Sequence, residues 1–138
     1  MAEIHASIDL DVAVDKVWEI ISDLDNEPKF WKGTKEIRNI SSNGNTINRE
    51  ITIAFRDQKC MQEVTTFPKK KIQAKFTKGI IKGEKVIKLV ETSTGCNLET
   101  IWNIKLSGMM GMFTGMITKH IQSGTEQALQ AIKQEVEK

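Results

Sequence analysis

Residues 109–137 read MMGMFTGMITKHIQSGTEQALQAIKQEVE. Phe113, Ile117, Ile121, Gly124, Ala128, Ile132 and Val136 recur there at three- and four-residue steps, the spacing of one face of an α-helix. Lys119, Gln122, Glu126, Gln130, Lys133 and Glu137 fall off that stripe. At 1.5 Å per residue the segment predicts a helix roughly 40 Å long. A helix of that length with one apolar stripe has to lie across something equally long, and the preceding sequence supplies it.

From residue 34 to residue 106 the pattern has the period of strands. Segments 34–41, 45–56, 58–67, 71–78, 80–91 and 96–106 are separated by turn chemistry: Ser42-Asn43-Gly44-Asn45, Arg56-Asp57-Gln58, Pro68-Lys69-Lys70 and Ser93-Thr94-Gly95. Short turns between consecutive strands predict an antiparallel meander. Residues 3–10 alternate as well, with Ile4, Ala6, Ile8 and Leu10 on one side, and add a first strand. Between it and the meander, Val14, Val17, Trp18 and Ile21 mark a short amphipathic helix, and a second is expected through Lys29, Phe30 and Trp31, stopping near Gly33. The order is strand, two short helices, six strands and a long helix. A sheet of that many antiparallel strands twists and curls, and the last helix is the element long enough to cover its concave face. The fold class expected is α+β: a helix-grip arrangement in which a curved seven-stranded antiparallel sheet wraps the C-terminal helix, with residues 1–138 as one domain. A curled sheet gripping one helix can leave an apolar gap between them, the usual form of a small-molecule site.

Composition narrows the partners. The chain has 138 residues, 39% hydrophobic and 28% charged, with 20 basic against 18 acidic side chains and a net charge of +2. That balance gives no electrostatic case for nucleic acid. No apolar run approaches the ~20 residues of a membrane span. The opening Met1-Ala2-Glu3-Ile4-His5 has no signal-peptide character, so a cytoplasmic protein is expected. Cys60 and Cys96 are far apart and without a CxxC or a histidine cluster, so neither a metal site nor a cofactor is expected. A monomer or weak homodimer fits this profile.

Three stretches resemble the START-like superfamily, also called SRPBCC or Bet v 1-like. They are Val14–Trp31, VDKVWEIISDLDNEPKFW; Gly95–Thr100, GCNLET; and the ending Ala128–Glu135, ALQAIKQE. Within it, the chain is similar to the small prokaryotic proteins described as polyketide cyclase/dehydrase. The resemblance implies the helix-grip fold and a cavity for lipids, quinones, isoprenoids or polyketide-like molecules. Some members catalyse cyclisation or dehydration, so fold alone does not fix the activity.

The expected cavity wall is drawn from inward-facing strand and helix positions: Ile51, Ile53, Phe55, Ile72, Phe76, Thr100, Trp102, Met112, Phe113, Met116, Ile117 and His120. Met109, Met110, Met112 and Met116, interleaved with Gly108, Gly111 and Gly115, read either as an adaptable apolar gate over residues 107–116 or as residues that fill irregular core gaps or pack a dimer contact. The groups weighed for acid/base or positioning work are Arg49, Glu63 and His120. Arg49 shares the face of Ile47, Ile51 and Ile53, where a charge needs either a ligand's anion or an internal partner. The sequence contains no nucleophile elbow, phosphate loop, HExxH or dinucleotide fingerprint. Three functions are therefore weighed: a binder or carrier of a hydrophobic small molecule, a cyclase or dehydratase, and a protein-interaction module using the groove between sheet and helix.

Overall fold

The structure is a computed structural model and describes residues 2–138, apart from the side chains of Met109 and Met110. Strand β1 (Ala2–Leu10) leads into α1 (Val14–Ile21) and a 3₁₀ segment, Leu24–Lys29. Six strands follow: β2 (Thr34–Asn43), β3 (Thr46–Ile53), β4 (Lys59–Phe67), β5 (Lys71–Lys78), β6 (Ile81–Glu91) and β7 (Cys96–Leu106). A 3₁₀ turn, Gly108–Phe113, then opens into α2 (Thr114–Val136). The sheet has seven strands in the order β1-β7-β6-β5-β4-β3-β2, every pair antiparallel. The meander is as expected from its turns, and β1 returns to pair with β7, which leaves β1 and β2 as the two edges.

Three local expectations are corrected. The second short helix lies over Leu24–Lys29, earlier than residues 29–33, because Pro28 falls inside it and Phe30 and Trp31 leave its end to drop into the core. Strand β3 stops at Ile53 rather than residue 56. Ala54 turns helical and donates its N–H to the Gly33 carbonyl at 2.8 Å, and Arg56 and Asp57 take positive φ. The C-terminal α-helix starts at Thr114, not 109: Gly108 has φ +62, and Gly108 and Gly111 disfavour α-helix in the 3₁₀ turn that precedes it.

One face of the sheet carries the buried side chains of alternate residues, for example Cys96, Leu98, Thr100, Ile104 and Leu106 on β7. α2 packs chiefly on β1, and α1 closes one end against α2 and β6. The apolar interior falls into two clusters. One gathers α1, Phe30, Trp31 and the C-terminal half of α2 (Ala128, Leu129, Ile132, Val136) against Val64, Ile72, Ile87, Leu89 and Leu98. The other gathers Ile4, Ile51, Cys60, Phe76, Ile81, Ile104, Leu106 and Ile117. Trp102 packs against both.

Gly83 faces inward on β6 between Phe76 and Ile104, with φ +114. A Cβ there would sit 2.0 Å from the Asn103 carbonyl oxygen, a backbone atom that cannot step aside. Glycine in a strand interior commonly marks such a close approach. Gly83→Ala combines this clash with a backbone conformation that costs ~1–3 kcal/mol for an L side chain. We expect it to lower unfolding stability by at least about 2 kcal/mol, measured by urea denaturation. An unchanged midpoint would show that the β6–β7 backbone yields there.

Candidate ligand-binding site

Between the two clusters lies a cavity of about 450 Å³. Its deep wall is apolar: Trp31, Ile51, Phe76, Ile81 and Trp102, with Ile117 and Ile121 from α2. Lys32, Gly33, Ala54, His120, Ser123 and Gln127 also line it and are exposed, so the mouth opens between the residue 32–34 turn, the end of β3 and the middle of α2. Gly124 faces the void: a Cβ on it would meet no atom within 4 Å. The helix therefore contributes its missing side chain as volume.

The aromatic wall is held in place by specific contacts. Phe76 and Trp102 stack, with centroids 6.2 Å apart and planes 22° apart, and Trp31 meets Trp102 edge-on at 6.4 Å. The Trp102 Nε1–H donates to Thr125 Oγ1 at 3.1 Å, and the Thr125 hydroxyl donates to the Ile121 carbonyl at 2.7 Å. The indole is thus fixed to the helix across the cavity.

Beside this wall sits a cluster of charges. Arg49, 1% exposed, donates from Nη2 to Glu27 Oε1 at 2.9 Å and from Nε to Gln62 Oε1 at 2.9 Å. Burial would raise the Glu27 carboxyl, but the Lys85 and Arg49 charges and the hydrogen bonds it accepts outweigh that and hold it below its ordinary value. Lys85, 5% exposed, reaches in from β6. Its Nζ lies 3.2 Å from the Trp31 ring centroid and 4.9 Å from that of Trp102. Among the described residues no hydrogen-bond acceptor meets this amine. Loss of hydration pushes its pKa from 10.5 down to about 8, against the pull of Glu27 and with the push of Arg49.

The residues named from the sequence divide accordingly. Ile51, Ile53, Phe55, Phe76, Trp102, Ile117 and His120 do line the cavity, His120 at its exposed mouth. Ile72 lies instead in the packed cluster beneath α1, beside Ile87 and Ile132. Thr100 faces inward but is sealed between Leu98 and Trp102, off the cavity wall, with its hydroxyl unbonded. Met112 is 81% and Met116 47% exposed and neither lines the cavity: Met112 lies in the 3₁₀ turn, and Met116, in the first turn of α2 beside the buried Ile117, falls on the outer side of the helix; the Met109 and Met110 side chains lie outside the described residues. Phe113 packs against the second cluster and the Arg56 guanidinium. Glu63 points to the other face of the sheet, opposite Asn48 and Lys75, and Gln62 takes the inward position. A one-residue difference of phase exchanges the two faces. Arg49, Glu63 and His120 are therefore not brought together.

Glu27, Gln62, Lys85, Gly124 and Thr125 were not singled out by sequence. For Lys85 the signal was present: Ile81, Gly83, Lys85, Ile87 and Leu89 form one alternating face of β6, with a lysine in the middle of it.

A family model described as "Polyketide cyclase / dehydrase and lipid transport" matches residues 1–137. The chain belongs to this family. Among solved structures it is similar to TTHA0849 of Thermus thermophilus, at 13% identity and TM-score 0.83, over 98% of this chain and 97% of that one. It is similar to the Zhui aromatase/cyclase of a Streptomyces species at 12% identity and TM-score 0.79, over 99% of this chain and 93% of that one. A START superfamily protein of Mycobacterium smegmatis matches at 12% identity and TM-score 0.67, over 94% and 98% of the two chains. At these identities the likeness carries the START-like fold and nothing finer. No curated protein matches the sequence significantly. Family and fold together support a role in binding a hydrophobic ligand or in cyclase chemistry. No helix among the described residues is long and apolar enough to cross a membrane.

Lys85 makes the stability of the fold depend on pH in a definite sense. Below pH 8 the amine is charged in both folded and unfolded chains, and the fold carries the full desolvation cost. Between pH 8 and 10.5 the unfolded chain holds the proton and the folded chain does not, so stability rises with pH. Above that range both forms are neutral and the cost is gone. A shift of this size corresponds to about 3 kcal/mol. The gap in unfolding free energy between Lys85→Met and wild type should therefore narrow by about 3 kcal/mol between pH 7 and 10.5. The buried Cys60 and Cys96 thiols, which burial pushes up, titrate in both proteins and cancel in the difference. Parallel curves from urea denaturation would show that the amine is not desolvated.

Proposed function

We propose that this protein binds a hydrophobic small molecule, a lipid, quinone, isoprenoid or polyketide-like compound, in the cavity between sheet and α2 and acts as its carrier or receptor. The observation that supports this most is the cavity itself. It has about 450 Å³ of space behind an apolar wall, within the size range of small-molecule sites. Its aromatic rings are fixed by hydrogen bonds and stacking before any ligand arrives, which lowers the cost of binding. A cyclase or dehydratase would need an acid or base aimed at a reacting atom. Arg49 is already occupied by Glu27 and Gln62, Glu63 lies on the far face of the sheet, and His120 stands at the exposed rim. These placements favour binding over catalysis by those groups.

Gly124 provides the test, since it gives the void its volume without supporting the core. The neutral fluorophore 1-aminoanthracene should bind wild-type protein with enhanced, blue-shifted emission. Gly124→Phe should weaken that binding by about tenfold or more without lowering the melting temperature. Absence of binding to the wild type, or equal binding to both proteins, would overturn the proposal.

A further inference from the structure

The deep wall of the cavity is apolar except where Glu27, Gln62, Lys85 and Thr125 reach it, and in that charged corner the two cations Lys85 and Arg49 face the single carboxylate of Glu27. Arg49 and Glu27 balance one another in charge, Gln62 accepts from the guanidinium's Nε, and the buried Nη1 has no hydrogen-bond partner among the described residues. Lys85 stands beyond that pair as a second cation against one carboxylate, 5% exposed, on the cavity wall, with no hydrogen-bond acceptor among the described residues. The faces of Trp31 and Trp102 hold it electrostatically on two sides. Indole rings replace part of its hydration but accept no conventional hydrogen bond, so its N–H groups remain to be matched.

We propose that the ligand is an apolar carboxylic acid whose carboxylate pairs with Lys85 in the corner between Trp31 and Trp102 while its hydrocarbon part fills the space lined by Ile51, Phe76 and Ile117. This rests on the cavity being a ligand site, as proposed above, and names the class of ligand. One excess positive charge calls for one negative charge. A phosphate ester dianion would bring two negative charges where one positive charge is in excess, because the Arg49 charge is already matched by Glu27. A neutral lipid or quinone would leave the ammonium buried without an acceptor, which is costly. The carboxylate also explains a lysine at this position: it is a compact point charge on a flexible stem, which meets a single anionic group without the planar fork of arginine.

The test compares two ligands that differ only in the head group, dodecanoate and dodecan-1-ol, titrated at pH 7 below their aggregation limits by calorimetry and by tryptophan emission. Wild-type protein should prefer dodecanoate by roughly ten- to a hundredfold, the range of one charge-assisted hydrogen bond. Lys85→Met should abolish the preference while still binding dodecan-1-ol. Equal affinity of the wild type for the two, or a preference for the alcohol, would overturn the carboxylate proposal and leave the cavity as a site for neutral ligands. A preference that persists in Lys85→Met would overturn it by moving the anion to Lys32 or His120 at the mouth. Failure of both ligands to bind the wild type would overturn the carboxylate proposal together with the reading of the cavity as a site. The comparison within the wild type stands even if the variant does not fold.

Discussion

Arg49 is a guanidinium buried among isoleucines, and the end of the molecule near it is arranged around that fact. A charge there is tolerable only with a partner of opposite sign and hydrogen bonds in good geometry. The partner, Glu27, comes from the 3₁₀ segment 22 residues earlier. That one contact ties the helical excursion after β1 to the third strand and orients the chain so that Trp31 follows into the interior. Gln62 on the neighbouring strand accepts from the guanidinium's Nε on the sheet side, and the buried Nη1 is left without a partner among the described residues. Removing either end would leave an uncompensated buried charge, the more expensive condition. The pair therefore specifies where the helical segment docks more than it adds to net stability.

The cavity follows from a mismatch of shapes. A straight helix cannot touch a curled sheet along its whole length. α2 is in close contact at its C-terminal half through Ala128, Leu129, Ile132 and Val136, and near its start through Ile117. Between these contacts Gly124 withdraws from the sheet, and Thr125 reaches across through its hydrogen bond to Trp102. Two small cores, each packed in the ordinary way, thus share Trp102 and leave the space beside it unfilled.

Much of this was legible in the sequence because it depends on periodicity. Turn chemistry at Ser42–Asn45 and Pro68–Lys70, alternation in every strand and the helical stripe from Phe113 to Val136 give the element order, and the order gives the architecture. The apolar wall was legible for the same reason: Ile51, Phe76, Trp102 and Ile117 occupy inward phases of long, regular elements. What failed did so for separate reasons. Glu63 was weighed where Gln62 is the inward residue although β4 alternates without interruption, Cys60, Gln62 and Val64 facing in; the register shift beside Met61 inserts its extra residue on β5. Met112 was placed on the wall by extending the α-helix back through the glycines before it, and Met116, though in α2, lies one position before the inward Ile117 and is exposed. Glu27 could not be matched to Arg49 because their contact is tertiary and crosses from a short irregular helix to a strand.

Lys85 belongs to a different category, since its inward phase on β6 is plain in the sequence and contradicts its chemistry. A strand that reads Ile81, Gly83, Lys85, Ile87, Leu89 on one face is locally inconsistent, and an apolar residue of similar size would cost the fold less. The desolvation that lowers its pKa to about 8 is a stability penalty the folded chain carries at neutral pH. Cation–π contact with Trp31 offsets part of it, and Glu27, already paired with Arg49, offsets a little more. Conflicts of this kind between local pattern and buried chemistry concentrate at functional sites, where the arrangement is retained for what it binds. The two indoles that hold the ammonium also form the ligand's wall. The residues that make the lysine tolerable are therefore the same ones that present it to whatever enters the cavity.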